Sequence, residues 1–263
     1  MDNDILRQIK EYWNGVSDSE WYGSLRTDER IEKLLAAPVT AFHPGVLALI
    51  EKHIGSVEGK RVLLPSSGDN HAAFALALMG ASVTSADISE RQLENAKEIS
   101  DRLGLDIEYV CDDTMTLTRI ADGAYNMVYT SNGTLSWIGA LGGMLGNIAR
   151  VLKPGGVYVM YDVHPFNRPF SGEPWQPPHI VKSYHDVFPD LHWRVSDIIN
   201  ASVEAGLSVR ELAELSAVDA SFWFTYDELI RQEPQRLTDI NDPKHNPMAA
   251  LPAWLAAVMR KVS

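Results

Sequence analysis

Apolar runs and segments of helical periodicity alternate through residues 61–165 of the chain. The first run, from Val62 to Leu64, is continuously apolar, which is typical of a buried parallel strand. Small and turn-forming residues follow it, and the Ala-rich segment 71–80 then predicts a helix that ends at Gly80. Strand, tight turn and helix begin a doubly wound α/β domain, in which a ligand lies outside the carboxyl ends of the strands.

The pattern of apolar and polar residues also predicts the remaining helices and strands. Residues 1–60 are predicted to be helical, with breaks at Pro38 and Gly55. Segment 251–262 is predicted to be the last strand, although its Ala content makes a helix the competing interpretation. The other predicted strands are 81–89, 106–113, 124–130, 157–166 and 207–215, and the other predicted helices are 89–104, 139–152 and 196–205.

Four segments follow from this pattern. Residues 1–55 are predicted to form an N-terminal helical flap, and residues 56–165 the α/β core that binds a ligand. Residues 166–195 are rich in Pro, aromatic residues and His and lack a helical period, so we expect an insertion with short strands that covers the active site. Residues 196–263 complete the α/β domain and add a second lid element.

Composition and net charge limit the kinds of molecule that the chain is expected to bind. A formal net charge of −12 and the lack of a Lys/Arg-rich run argue against nucleic acid. Cys111 is the single cysteine, so the chain has no intrachain disulfide. The beginning of the chain is charged and no apolar run reaches membrane length, which predicts a cytoplasmic protein without a membrane partner. A monomer and a homodimer both remain open.

The loop after the first strand favours one nucleotide ligand over another. A dinucleotide loop needs G-x-G-x-x-G, but Ser66 and His71 flank Gly68 at the other two glycine places. Asp69 adds a negative charge where a diphosphate would lie, whereas the sulfonium of S-adenosylmethionine suits an acidic turn. A helix cap without any ligand is the third possibility, with Asp69 or Asn70 as the cap.

Acidic residues also end the second and third strands. Asp87 follows Gly68 by 19 residues, and an acid at about this distance accepts hydrogen bonds from ribose hydroxyls. A helix-capping role is the alternative for Asp87. Asp113 ends the third strand, where a carboxylate can accept a hydrogen bond from an adenine amino group. Asp112, one residue earlier, is the alternative for this role.

Five blocks in this order resemble the class I S-adenosylmethionine-dependent methyltransferases. They are VLLPSSGDN, ADIS, CDDT, YNMVYTSNG and LKPGGVYVM, which cover about residues 55–165. The resemblance implies a seven-stranded sheet, parallel except for its last strand. The chain departs from the family pattern in the first block, where Leu64 replaces an acid and Ser66 and Asn70 replace glycines.

The resemblance also implies a cofactor site of nine residues. Ser66, Gly68 and Asp69 would line the methionine moiety, Asp87 and Ile88 the ribose and adenine, Asp113 and Thr114 the adenine edge, and Ser131 and Asn132 the sulfonium.

Methyl transfer from a sulfonium needs a base only when the acceptor must lose a proton. Histidine suits that task near neutral pH, and His164 at the end of the fifth strand is the best placed candidate. The further candidates are Tyr184, His185 and His192, each with a structural role as the alternative. No metal site is predicted, because no helical H-x-x-x-H or H-E-x-x-H spacing occurs.

Aromatic residues are the candidates for contacts with substrate or lid. They are Tyr12, Trp13, Tyr22, Phe166 and Trp193, and packing onto the domain is the alternative role for the first three. Together these features predict an S-adenosylmethionine-dependent methyltransferase with a small-molecule acceptor. An NAD-dependent oxidoreductase and a non-catalytic S-adenosylmethionine-binding protein are the alternatives.

Overall fold

Nine strands occur in the part of the chain that the computed structural model describes, which is residues 3–171, 174–188 and 191–262. They are β1 (Arg61–Pro65), β2 (Ser82–Asp87), β3 (Ile107–Cys111), β4 (Tyr125–Thr130), β5 (Leu152–Val163), β6 (Phe170–Ser171), β7 (His179–Ile180), β8 (Leu207–Leu215) and β9 (Trp254–Lys261). Seven of them form one sheet in the order β3-β2-β1-β4-β5-β9-β8, and β6 and β7 form a separate hairpin.

The direction of the strands confirms the predicted fold class. β3, β2, β1, β4 and β5 pair in parallel, whereas β9 runs antiparallel to both β5 and β8. The sheet is therefore doubly wound and parallel except for its last strand, and the helix interpretation of segment 251–262 is wrong. Five of the eight residues of β9 are buried, and its alternate side chains, small ones among them, enter the apolar clusters on the two faces of the sheet.

Ten α-helices lie in the described residues. They are α1 (Asn3–Val16), α2 (Glu20–Leu25), α3 (Asp28–Ala36), α4 (Pro44–His53), α5 (His71–Leu78), α6 (Glu90–Leu103), α7 (Leu141–Val151), α8 (Val195–Glu204), α9 (Tyr226–Leu229) and α10 (Pro234–Leu237). The caps follow the sequence signals: the Asn70 side chain accepts from the Ala72 amide at 2.8 Å, and Gly104 ends α6 in the left-handed conformation.

The N-terminal helices share a core with the sheet. Ile31, Leu34 and Val46 are almost fully buried in the same apolar cluster as Val62 and Leu64 of β1. Helix α1 instead lies beside α6, so the two halves of the N-terminal segment differ in how deeply they are anchored. Residues 28–53 thus form part of the α/β domain, and α1 and α2 form its outer edge.

A pair of buried hydroxyls joins β4 to β5 near the ligand end of the sheet. Tyr158 Oη lies 2.8 Å from Thr130 Oγ1, and both residues are buried. We expect Tyr158→Phe to lower the free energy of unfolding by about 1–3 kcal/mol, because the Thr130 hydroxyl loses its partner without regaining water. Urea denaturation measures the change.

A double variant tests the reason for that loss. Thr130→Val combined with Tyr158→Phe removes both polar groups, so most of the lost stability should return. A double variant that is less stable than Tyr158→Phe alone would contradict this account of the pair.

Candidate active site

A cavity of about 580 Å³ opens at the carboxyl ends of β1, β2 and β4, a size within the range of about 300–1,000 Å³ for small-molecule sites. Its loop half is lined by residues 66–71, Asp87, Ile88, Gln92, 113–115 and 131–134. Its aromatic half is lined by residues 40–43, Tyr161, four of the residues 218–222, and Trp254. The structure brings all nine predicted cofactor residues together in the loop half.

Asp87 ties two of these segments together. Its Oδ2 accepts from the Gly68 amide at 2.8 Å, and its Oδ1 accepts from the Ser89 amide at 2.8 Å. Only 8 % of Asp87 is exposed, and this burial raises the pKa of its carboxyl to about 6 despite the two amides. The carboxylate is therefore fixed in direction at the cavity wall and is costly to keep charged without a further donor.

The loop after β1 satisfies its own amides. The Gly68 amide donates to Asp87, the Asp69 amide to Gln92 Oε1 at 3.3 Å, and the Asn70 backbone amide to the Ser67 carbonyl at 3.0 Å. Gly68 has φ +51°, and a Cβ there would clash with Gln92 Oε1, so this place requires glycine. These three amides are not available to cradle a diphosphate.

Asp69 does not present the free charge that the sequence suggested. The residue is only 4 % exposed, and its Oδ2 accepts from Arg26 Nε at 2.5 Å. Burial raises the pKa of Asp69, and Arg26 opposes that rise. Since Arg26 follows α2, the pair fastens the outer N-terminal segment to the loop, and the expected charge of the turn is largely neutralised.

Two side-chain contacts hold the other walls of the loop half. Ser66 Oγ lies 2.7 Å from Thr114 Oγ1, and the side-chain amide of Asn70 donates to Ser131 Oγ.

Of the two acidic residues that follow β3, Asp113 is the one that lines the cavity. Asp112 instead accepts from the Arg119 amide at 2.6 Å and stabilises the following turn.

Gln92 is a cavity residue that sequence reasoning missed. It is 2 % exposed, and its Nε2 has no hydrogen-bond partner among the described residues. A buried donor of this kind at a cavity wall is a place for a ligand acceptor atom. The signal for Gln92 in the sequence is a polar side chain on the inward face of α6, five residues after Asp87.

Aromatic side chains of the N-terminal segment close one side of the cavity. Trp13 and Tyr22 line it with ring centroids 6.5 Å apart, and Trp13 lies 5.0 Å from Trp137 of the loop after β4. Tyr12 does not line the cavity and stacks on the outer side of Trp137 at 5.2 Å. Trp21, which belongs to the same aromatic group of the N-terminal segment, also lines the cavity.

The predicted base His164 is not part of the cavity lining. It is 3 % exposed, its Nδ1 accepts from the Phe166 amide at 3.1 Å, and its Nε2 lies 3.0 Å from Glu214 Oε1. Tyr161 is the residue of β5 that lines the cavity. Because side chains alternate along a strand, the next residue, Asp162, lies on the opposite face, and His164 caps the turn beyond it.

The other predicted base and lid residues also lie away from the cavity. Tyr184 Oη accepts from the Val195 amide at 3.2 Å, and His185 is exposed. His192 contacts Lys182. Phe166 packs against Tyr184, and Trp193 Nε1 donates to the Ile138 carbonyl at 2.8 Å, so the insertion braces the loop after β4 from outside.

Within the described ranges, no group of three or more His, Cys, Asp or Glu side chains could hold a metal ion. Among the helices of the described residues, none is long and apolar enough to span a membrane.

A family comparison identifies the core of the chain. Residues 63–160, which carry β1 to β5 and the loop half of the cavity, match the family described as "Methyltransferase domain". The chain is similar to this family over that segment. The predicted resemblance is thereby confirmed for the part of the chain that the five sequence blocks span.

Curated relatives of the methyltransferase domain include an O-methyltransferase and a C-methyltransferase. A ubiquinone biosynthesis O-methyltransferase of Coxiella burnetii is 34 % identical over 119 residues, which are 45 % of this chain and 50 % of that protein. A sterol 24-C-methyltransferase of Pneumocystis carinii is 25 % identical over 231 residues, which are 82 % of this chain and 58 % of that protein. The chain thus spans little more than half the length of these relatives.

Solved structures share the fold at low identity. An S-adenosylmethionine-dependent methyltransferase of Mesorhizobium loti has a TM-score of 0.62 at 17 % identity, covering 86 % of this chain and all of that one. Geranyl diphosphate C-methyltransferase of Streptomyces coelicolor has a TM-score of 0.60 at 15 % identity and covers both chains completely. These likenesses agree with the sheet order described above.

The Arg26–Asp69 pair gives a prediction about stability. Arg26→Gln leaves a buried carboxylate without its counter-charge, so we expect the free energy of unfolding to fall by about 2–4 kcal/mol. The matched control is Arg91→Gln, because Arg91 pairs with Asp18 at the surface, where a pair is worth about 0–1 kcal/mol. Equal losses in the two variants, measured by urea denaturation, would contradict the role of the Arg26 pair.

Proposed function

We propose that the chain is an enzyme that transfers a methyl group from S-adenosylmethionine to a small molecule. The observation that carries this proposal is the link between Gly68 and Asp87, which places a fixed, buried carboxylate beside the loop after β1. A carboxylate in this position can accept hydrogen bonds from both ribose hydroxyls of a nucleoside.

The loop half fits this cofactor better than a dinucleotide. Its three loop amides are already engaged, and no Lys or Arg appears among the cavity-lining residues in the described part of the chain. A diphosphate would therefore meet Asp87 and Asp113 without a cationic side chain to balance its charge. A nucleoside that carries a sulfonium avoids that conflict.

Each side of the loop half has a proposed role. Asp87 and Ile88 hold the ribose and flank the adenine, and Asp113 and Thr114 lie at the adenine edge. Ser66, Gly68 and Asp69 line the methionine moiety, and Ser131 and Asn132 lie beside the sulfonium. When bound, S-adenosylmethionine supplies the reactive methyl group. The chain's own side chains position the acceptor, and Trp13 and Tyr22 exclude water.

A direct binding experiment tests the proposal. In calorimetry with S-adenosylmethionine, S-adenosylhomocysteine and NAD, the first two should bind and NAD should not. Binding of NAD with higher affinity than S-adenosylhomocysteine would overturn the cofactor assignment and favour an oxidoreductase.

The pKa of Asp87 predicts how cofactor affinity depends on pH. The ribose hydroxyls donate more strongly to an ionised carboxylate than to a neutral carboxyl, and the free carboxyl takes up a proton below about pH 6. We therefore expect the dissociation constant of S-adenosylhomocysteine to rise as the pH falls from 7.5 to 5. At pH 7.5, Asp87→Asn should weaken binding by about 1.5–3 kcal/mol, the scale of a hydrogen bond to a charged group.

The same variant provides the control. The carboxamide that replaces the Asp87 carboxyl has no acid group to titrate, so the dependence of affinity on pH below 7 should be much smaller in Asp87→Asn than in the wild-type chain. Equal affinity in both proteins at pH 7.5 would remove Asp87 from the cofactor site.

A further inference from the structure

We infer that the methyl acceptor is a small organic amine, held as an ammonium between the carboxylate of Asp219 and the rings of the aromatic half. This inference rests on the proposed function and goes beyond it, because it names the chemical class of the acceptor. Three observations carry it: the aromatic walls, the sign of the charges, and a tyrosine hydroxyl without a partner.

Aromatic rings form a continuous wall in this half of the cavity. The ring centroids of Tyr161 and Trp254 are 5.0 Å apart, and those of Trp254 and Phe222 are 4.7 Å apart. All three residues line the cavity. The negative faces of such rings attract an organic cation, and they also cover the apolar part of a small ligand.

The charges in this half favour a cation. The lining in the described ranges includes Asp219 but neither Lys nor Arg. Both ring nitrogens of His43 already have protein partners: its Nδ1 accepts from the Gly45 amide at 3.0 Å, and its Nε2 lies 3.0 Å from the Ser216 carbonyl oxygen. A phosphate or carboxylate on the acceptor would have no cationic partner here.

Asp219 is oriented but not neutralised. Its Oδ1 accepts from the Ser221 amide at 2.8 Å and from Ser221 Oγ at 2.5 Å. No cationic side chain pairs with it among the described residues, and Asp219 is exposed at the edge of the cavity. An ammonium in the cavity would therefore have this carboxylate as its counter-charge.

Tyr161 supplies the third observation. It is only 8 % exposed and lines the cavity, yet its hydroxyl has no hydrogen-bond partner in the described part of the chain. Burial raises the pKa of Tyr161, and the charge of Asp219 adds to the rise, so the phenol stays protonated. Its oxygen lone pairs can accept from an N–H group that Asp219 also attracts.

The transfer step balances with groups that are present. The ammonium gives up one proton to solvent by way of the exposed Asp219, and the freed nitrogen lone pair forms the new N–C bond. The sulfur of the sulfonium keeps the electron pair of the S–C bond that breaks, so the products are an N-methylammonium, a neutral thioether and the released proton.

Three probes of one shape test the acceptor class. Tryptamine is a cation, tryptophol is neutral and indole-3-acetate is an anion, and each carries the same ring. Calorimetry is done with the chain saturated with S-adenosylhomocysteine. We expect tryptamine to bind at least tenfold more tightly than the other two. Equal affinities, or no binding of tryptamine, would overturn the inference.

Matched variants locate the effect. Asp219→Asn keeps the side-chain acceptor for Ser221 and should weaken tryptamine at least tenfold while leaving tryptophol and S-adenosylhomocysteine unchanged. Asp227→Asn removes an exposed acid of α9 that does not line the cavity and should change nothing. An unaltered tryptamine affinity in Asp219→Asn would also overturn the inference.

One readout separates this inference from the proposed function. If S-adenosylhomocysteine itself does not bind, the proposed function fails. If it binds normally and tryptamine shows no preference, only the acceptor class is wrong.

Discussion

The hydrogen bond from the Gly68 amide to the Asp87 carboxylate is the constraint on which the candidate site depends. It connects the loop after β1 to the end of β2, and the Ser67 amide, which donates to the Ala86 carbonyl at 3.2 Å, joins the same two elements. Asp87 is held in turn by the Ser89 amide at the beginning of α6. One buried carboxylate thereby sets the distance between the two walls of the loop half.

Side chains on both faces of β5 contribute to the site. Tyr161 lines the aromatic half directly. Asp162, on the other face, is 2 % exposed and accepts from the Gly133 amide at 3.0 Å and the Leu135 amide at 2.8 Å. It thus fixes the loop after β4, which carries Ser131 and Asn132, without itself lining the cavity.

The sequence predicts the fold and the loop half well, because both depend on local patterns. Apolar runs, caps and the spacing of Gly68 and Asp87 are read along the chain, and parallel strands bring their carboxyl ends to one edge. The contact of Asp69 with Arg26 joins residues 43 positions apart, and no local pattern indicates it. The neutral state of the acidic turn could not be predicted for that reason.

The aromatic half shows the same limit more clearly. It is assembled from the turn before α4, from β5, and from the segments around β8 and β9, which meet only in the folded chain. The sequence favours His164 because this residue follows a strand whose carboxyl end lies at the ligand edge of the sheet. A shift of one residue along a strand reverses the face, however, so that position alone does not decide which side chains reach the cavity.

The loop after β1 keeps its shape by hydrogen bonds within the chain, since the amides of Gly68, Asp69 and Asn70 all have protein partners. The conformation of this loop therefore does not depend on hydrogen bonds from a ligand. A pocket preorganised in this way loses little conformational entropy when it is filled, and that entropy is a main cost of association. Selection at this wall then depends on what the nucleoside offers to Asp87 and Gln92, rather than on how the backbone adapts to it.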